Sequence, residues 1–135
     1  MKKNILFVCI ENSNRSQMAQ AFAIMHGHDL VNADSAGSKP SGIINPKAVA
    51  AMKELGYDLT THISKPLTTI KDIAYDYVIT MGCGDECPFV VAKKREDWNI
   101  ADPRNMDESE FRNVRDDIDK RVTELLNKIR SGLNS

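Results

Sequence analysis

Cys9 and Arg15 enclose five residues in the segment Val8-Cys9-Ile10-Glu11-Asn12-Ser13-Asn14-Arg15-Ser16. A thiol and a guanidinium at this spacing, between an apolar run and a helical pattern, suit capture of a tetrahedral oxyanion and attack on its central atom. A loop this short can aim its backbone N–H groups at the anion from the positive end of the following helix. Arg15 adds a bidentate fork. The same donors favour the thiolate of Cys9, which is the reactive form. The oxyanion cradle is therefore expected to comprise Ile10, Glu11, Asn12, Ser13, Asn14, Arg15 and Ser16. Asn12 tolerates a left-handed backbone and bonds locally, and Ser16 can both hydrogen-bond the thiolate and open the helix. Alone, a Cys and an Arg so spaced are a weak signal, equally consistent with a strand-end thiol and a surface arginine. Their position between strand and helix strengthens the reading.

Two further features fall just after expected strands. Met81-Gly82-Cys83-Gly84-Asp85-Glu86-Cys87-Pro88 carries two more thiols, and Asp102-Pro103 places a carboxyl on a rigid turn. Three cysteines without a suitably spaced histidine argue against a closed zinc site, and no metal is expected.

The elements that must position these groups can be read from periodicity. Asn4 to Val8 is a short apolar run of the kind buried in a parallel sheet. A helix opens at Ser16, with Met18, Phe22 and Met25 on one face and Gly27 at its end. A second strand is expected over Asp29 to Ala33, followed by a turn at Ser35-Ala36-Gly37. Pro46 starts a helix that runs to Leu55 and stops at Gly56. Thr68 to Ile73 reads as a short helix, Asp76 to Met81 as a third strand and Glu96 to Trp98 as a fourth. Phe111, Val114, Ile118, Val122, Leu125 and Ile129 mark one face of a last helix, with Asp107 and Glu110 resembling a capping box. Alternating strands and helices imply a parallel sheet flanked by helices. In such sheets the site lies beyond the carboxyl ends of the strands, which brings Cys9, Cys83 and Asp102 to one edge.

The chain has 135 residues, 41% of them apolar and 27% charged, with a formal net charge of −1. These values fit one globular domain over residues 1–135. They argue against a nucleic-acid or membrane partner held by bulk electrostatics. An anionic ligand must then be held by local geometry. Ile5 to Ile10 is too short for a signal peptide and meets Glu11, and no stretch is long enough to span a bilayer. A cytoplasmic location is expected, where an odd number of cysteines points to thiol chemistry rather than structural disulfides.

The stretch VCIENSNRSQMAQAF resembles the anion loop of the low-molecular-weight protein tyrosine phosphatase superfamily, and its Ser-Gln-Met-Ala is the variant found in that superfamily's arsenate reductases. Asp102-Pro103 resembles the general-acid motif of the same proteins. Ser35-Ala36-Gly37, Asn45-Pro46-Lys47-Ala48 and Arg95-Glu96-Asp97-Trp98 extend the likeness over nearly the whole chain. The resemblance implies a three-layer α/β sandwich around a four-stranded parallel sheet of order 2-1-3-4. It further implies arsenate as substrate, with phosphate or sulfate as mimics, Cys9 as nucleophile and Asp102 as acid. Cys83 would resolve the Cys9 adduct and Cys87 would then attack Cys83. The Cys83–Cys87 disulfide would be returned to thiols by thioredoxin or a thioredoxin-like dithiol, with no cofactor bound.

Residues four apart on a helix have β-carbons roughly 5–6 Å apart, against about 3.8 Å in a disulfide. A helical Cys83–Cys87 segment would therefore have to distort on oxidation, and Gly82 and Gly84 would ease that change. Better-known thioredoxin-linked reductases space this pair more widely. The tyrosines that follow Asp-Pro in the tyrosine phosphatases are replaced here by Arg104 and Asn105. Gln20 stands where some reductases carry an acid beside a potassium ion, and Lys65 occupies the neighbourhood of another such acid, so no potassium site is expected. The first alternative is a phosphatase acting on phosphotyrosine or small phosphoesters, with Cys83 and Cys87 protecting Cys9. A thiol redox sensor or phosphocysteine carrier is the second, and it would need neither Arg15 nor Asp102. His62 is read as either an orienting residue for the loop or a bland turn residue, Trp98 as a packing residue near the rim, and His26 and His28 as helix-end surface groups.

Overall fold

The computed structural model describes residues 2–70, 73–82 and 90–132. Strand β1 (Lys3–Cys9) lies between β2 (Val31–Gly37) and β3 (Tyr75–Thr80), and β4 (Ala92–Asp97) pairs with the far side of β3. All three pairings are parallel, and the order β2-β1-β3-β4 is the one expected. β1 is buried on both faces because its side chains alternate between two apolar clusters. Ile5, Phe7 and Cys9 face the larger cluster, with Met18, Phe22, Met52, Ile118, Val122 and Leu125. Leu6 and Val8 face the smaller one, with Ala36, Tyr75 and Val78, closed over by Leu67, Ile70, Val90 and Ala92.

Helices α1 (Arg15–Gly27), α2 (Pro46–Lys53) and α3 (Glu108–Gly132) all contribute to the larger cluster. Asn45 caps α2 by accepting from the Lys47 N–H at 3.0 Å, with Pro46 in the first turn as expected. Asp107 caps α3 by accepting from the Glu110 N–H at 2.8 Å. Arg115 on α3 donates to the Ala51 carbonyl (3.0 Å) and to Glu54 (2.7 Å), which ties α3 to the end of α2. Hydrogen bonds from Arg112 and Arg115 hold the Glu54 carboxyl at a pKa of about 2. His26 at the end of α1 meets Asp119 on α3 at 2.8 Å. Among the described residues no helix is long and apolar enough to cross a membrane.

Several expected boundaries shift. The second strand starts and ends later than Asp29 to Ala33, and the expected turn at Ser35-Ala36-Gly37 is its final stretch. The cause is register: Lys3 pairs with Val31 and Cys9 with Gly37, so backbone pairing with the central strand carries polar Asp34 and Ser35 into the sheet. The fourth strand, expected at Glu96 to Trp98, runs over Ala92–Asp97 and is mostly charged and exposed. An edge strand needs only one paired side, and its charges discourage further pairing. In place of a helix over Thr68 to Ile73 there is a single 3-10 turn at Leu67–Thr69, and Lys71 and Asp72 lie outside the described residues. The second helix stops at Lys53, and Gly56, with φ +83°, completes the turn out of it.

Candidate active site

The segment from Cys9 to Ser16 joins the carboxyl end of β1 to the first turn of α1. Its carbonyls are taken up by the surrounding chain. The Cys9 carbonyl accepts from Ser38 N–H (3.3 Å), Ile10 from Lys39 N–H (2.8 Å), Glu11 from Ser41 N–H (3.1 Å) and Ser13 from Asn45 N–H (3.2 Å). The Asn12 carbonyl accepts from the Gln17 side chain at 3.0 Å. In a planar trans peptide the N–H points opposite to the carbonyl before it. Turning these carbonyls away from the loop therefore turns the amides of residues 10–14 toward its interior, a concave row of donors at a helix N-terminus. Gly37 permits the close approach of the loop to β2, since a β-carbon there would stand 2.6 Å from the Ile10 carbonyl oxygen.

Asn12 locks this shape. Its φ is +51°, the left-handed conformation anticipated for it. Its side-chain oxygen accepts from the Lys65 N–H (3.0 Å) and from Gln17 Nε2 (2.9 Å), while Nδ2 donates to Ser16 Oγ (2.7 Å) and Ser35 Oγ (3.0 Å). Because Ser16 Oγ accepts from Asn12, its own hydrogen is left for Cys9 Sγ, 2.9 Å away. A hydroxyl donated to sulfur stabilises a thiolate. Cys9 itself is buried and free.

Gln17, fully buried, extends the network beyond what sequence reasoning found. Its amide nitrogen also donates to the Ile63 carbonyl at 3.0 Å. Its oxygen faces His62 Nδ1 at 2.9 Å, so Nδ1 carries the hydrogen and Nε2 accepts from the Tyr57 hydroxyl at 2.5 Å. Burial, followed by the charge of Lys65, pushes the His62 pKa below its ordinary value, while Asp34 pulls the other way. In its neutral form His62 satisfies this network, donating from Nδ1 and accepting at Nε2. Of the two readings offered for His62, the structure supports the orienting one. Ser35 passes its hydroxyl hydrogen to Gln20 Oε1 at 2.6 Å, and the Lys65 ammonium pairs with Asp34.

Arg15 is buried, with Nη1 donating to the Ile100 carbonyl at 2.9 Å. That bond fixes the guanidinium plane and leaves its other N–H groups for an anion. Asp102 Oδ2 lies 4.0 Å from Arg15 Nη2, so the expected acid reaches the expected cradle. Gly82, just past β3, has φ +77°, and a β-carbon on it would stand 2.7 Å from Arg15 Nη1 and 2.9 Å from the Ile100 carbonyl oxygen. The exit of β3 thus runs directly against Arg15. Cys83 and Cys87 lie outside the described residues. Trp98 is a packing residue as expected, buried beside Phe7 with ring centroids 6.0 Å apart. Groups of His, Cys, Asp and Glu able to hold a metal ion are absent among the described residues.

Comparison with known proteins places this geometry in context. The family model described as low molecular weight phosphotyrosine protein phosphatase matches residues 4–134. The glutaredoxin arsenate reductase of Synechocystis sp. is 38% identical over 130 residues, covering 94% of this chain and 98% of that protein. Arsenate reductase 1 of Staphylococcus epidermidis is 40% identical over 133 residues, covering 95% and 98%. A solved arsenate reductase in the phosphate-binding state superposes with a TM-score of 0.84 at 37% identity, over 94% of this chain and 98% of that one.

Proposed function

The chain belongs to the low molecular weight phosphotyrosine protein phosphatase family, and within that family we propose that it is an arsenate reductase, converting arsenate to arsenite with its own three thiols. The observation that carries this reading is the junction at Gly82. The backbone leaving β3 packs against Arg15, and the next residue in sequence is a cysteine. A second thiol that follows this junction in sequence is what a reductase needs and a phosphatase does not. Similarity to arsenate reductases at about 40% identity supports the same choice.

In the proposed reaction the amides of residues 10–14 and the Arg15 fork hold the oxyanion. The Cys9 thiolate attacks arsenic, and one arsenate oxygen leaves as water with a proton from Asp102. The Cys83 thiolate then attacks Cys9 Sγ. A sulfur–sulfur bond forms, the pair of electrons in the sulfur–arsenic bond passes to arsenic, and arsenite departs. Attack by Cys87 on Cys83 releases the Cys9 thiolate and leaves a Cys83–Cys87 disulfide. Two thiols have then lost two electrons, and an external dithiol such as thioredoxin restores them. The Ser16 hydroxyl stabilises the Cys9 thiolate at the first step and again when Cys9 departs.

The test is a thiol titration. Fully reduced protein is mixed with arsenate in the absence of any other reductant, and free thiols and arsenite are measured. Loss of two thiols per chain with one arsenite released is expected, and peptide mapping should place the disulfide at Cys83–Cys87. No thiol loss would overturn the reading. The family description favours a second reading, phosphatase action on phosphotyrosine or small phosphoesters. Cys83→Ser separates the two, since hydrolysis of a phosphocysteine by water needs no second thiol. A phosphatase keeps its turnover in that variant and a reductase stalls.

A further inference from the structure

Arg104 bridges the mouth of the oxyanion loop and has no part in the reaction above. Its side chain is 54% exposed, yet its backbone is held on both sides. The Arg104 N–H donates to Asp102 Oδ1 at 3.1 Å, and its carbonyl accepts from Lys47 Nζ at 3.1 Å. From this anchored backbone the guanidinium reaches across the site. Nη1 pairs with Glu11 Oε1 at 3.1 Å, and Nε stands 3.7 Å from Asp102 Oδ2. Glu11 is equally well fixed, since its carbonyl accepts from the Ser41 N–H and from the Ser64 hydroxyl at 3.0 Å. One end of the bridge therefore sits on the anion loop and the other on the acid facing it.

We propose that the Glu11–Arg104–Asp102 bridge is a specificity gate that favours bare inorganic oxyanions over phosphate monoesters; the proposal rests on the reading of Cys9 and Asp102 given above. A leaving oxygen must reach the Asp102 carboxyl. Oδ1 is engaged by the Arg104 N–H, and Oδ2 is flanked by Arg104 and Arg15. From a bare oxyanion the departing group is a water molecule, which needs no room beyond the cradle. From a monoester it carries an organic group, which must share the surroundings of Asp102 Oδ2 with the Arg104 side chain 3.7 Å away. Arginine suits this task because it keeps its charge and its planar fork can meet two carboxylates at once. Ion pairs this exposed are weak, so the gate discriminates by degree and does not exclude monoesters outright.

The experiment compares Arg104→Ala, Arg104→Lys and wild type on two reactions. One is thiol loss with arsenate. The other is hydrolysis of p-nitrophenyl phosphate, in which Cys9 Sγ bonds phosphorus as the ester bond breaks, nitrophenol leaves with a proton, and water then splits the phosphocysteine. Arg104→Ala is expected to raise kcat/KM for the aryl phosphate about two- to fivefold, the range an exposed ion pair supports, and to leave the arsenate rate within about a factor of two. Arg104→Lys, which keeps charge without the fork, should fall between. Added salt screens the bridge and should raise aryl phosphate turnover relative to arsenate turnover in wild type more than in Arg104→Ala. An unchanged ratio of the two activities would overturn the gate. So would an equal fall in both, which would make Arg104 a recruiter of oxyanions. If wild type loses no thiols to arsenate, the reductase reading alone fails. The gate is then judged from aryl phosphate turnover against inhibition by inorganic phosphate.

Discussion

Replacing Asn12 with alanine tests the claim that one side chain shapes the anion loop. The substitution removes four side-chain hydrogen bonds, to Ser16, Ser35, Gln17 and the Lys65 N–H. At a net of about 1 kcal/mol each, their loss costs about 4 kcal/mol. Alanine at a φ of +51° adds about 1 kcal/mol of backbone strain. A total near 5 kcal/mol is a large share of the 5–15 kcal/mol typical of a whole domain, so Asn12→Ala should be barely folded at room temperature. Asn12→Gly loses the same bonds without the strain and should be about 1 kcal/mol more stable than Asn12→Ala. Urea unfolding followed by the fluorescence of the buried Trp98 measures both. Phosphate titration at low denaturant should show binding weakened in both variants. Two variants within 1 kcal/mol of wild type would refute the account of the loop. A glycine variant less stable than the alanine variant would refute the backbone part of it.

Three further outcomes follow from the same geometry. Ser16→Ala removes a hydrogen bond to a thiolate worth about 1.4 kcal/mol, so the first step should slow about tenfold, visible as slower iodoacetamide alkylation and slower thiol loss with arsenate; unchanged rates would mean that Ser16 serves only as an acceptor for Asn12. Gly82→Ala forces a side chain to within contact of Arg15 at a positive φ and should cost about 1–3 kcal/mol in stability together with phosphate affinity, whereas tight phosphate binding by this variant would disprove the close junction. The His62 pKa is depressed on folding, mainly by burial, so the unfolded chain binds more protons. Stability is then fully present above the ordinary value near 6.5, declines as pH falls below it, and is lost once pH passes the folded value. Urea midpoints at pH 7.5 and 5.5 should differ more in wild type than in His62→Gln, and equal differences would rule out His62 as the source.

The parts of the fold legible in sequence were those where burial imposes a period. Asn4 to Val8 is central and apolar on both faces, and the last helix carries its stripe from Phe111 to Ile129, so both were found. The edges were less legible. β4 is a strand because β3 offers it a free row of backbone partners, and nothing in Ala92-Lys93-Lys94-Arg95-Glu96-Asp97 advertises that. The site divides similarly. Cys9, Asn12, Arg15 and Ser16 were named from side-chain chemistry and Asp102 as acid from the resemblance of Asp102-Pro103 to a general-acid motif, and the structure brings the five together. What holds them was largely hidden, because the Ile100 carbonyl, the Lys65 N–H and the Ile63 carbonyl act through backbone atoms that every residue possesses. Gln17 was the exception, a polar side chain inside an otherwise apolar helical face, and its position beside the loop was a usable clue.

The bond from Arg15 to the Ile100 carbonyl spans 85 positions of the chain, and this has a consequence for how the protein is made. A ribosome delivers the reactive cysteine before the partners that shape its surroundings, which arrive in stages, first Ser35, then Lys65 and last Ile100. Domains generally gain their long-range contacts only after the intervening chain has been synthesised. A growing chain therefore carries Cys9 without the completed cradle around it until Ile100 has been made. Competence to bind an oxyanion should appear late and abruptly, when the residues around Ile100 clear the exit tunnel.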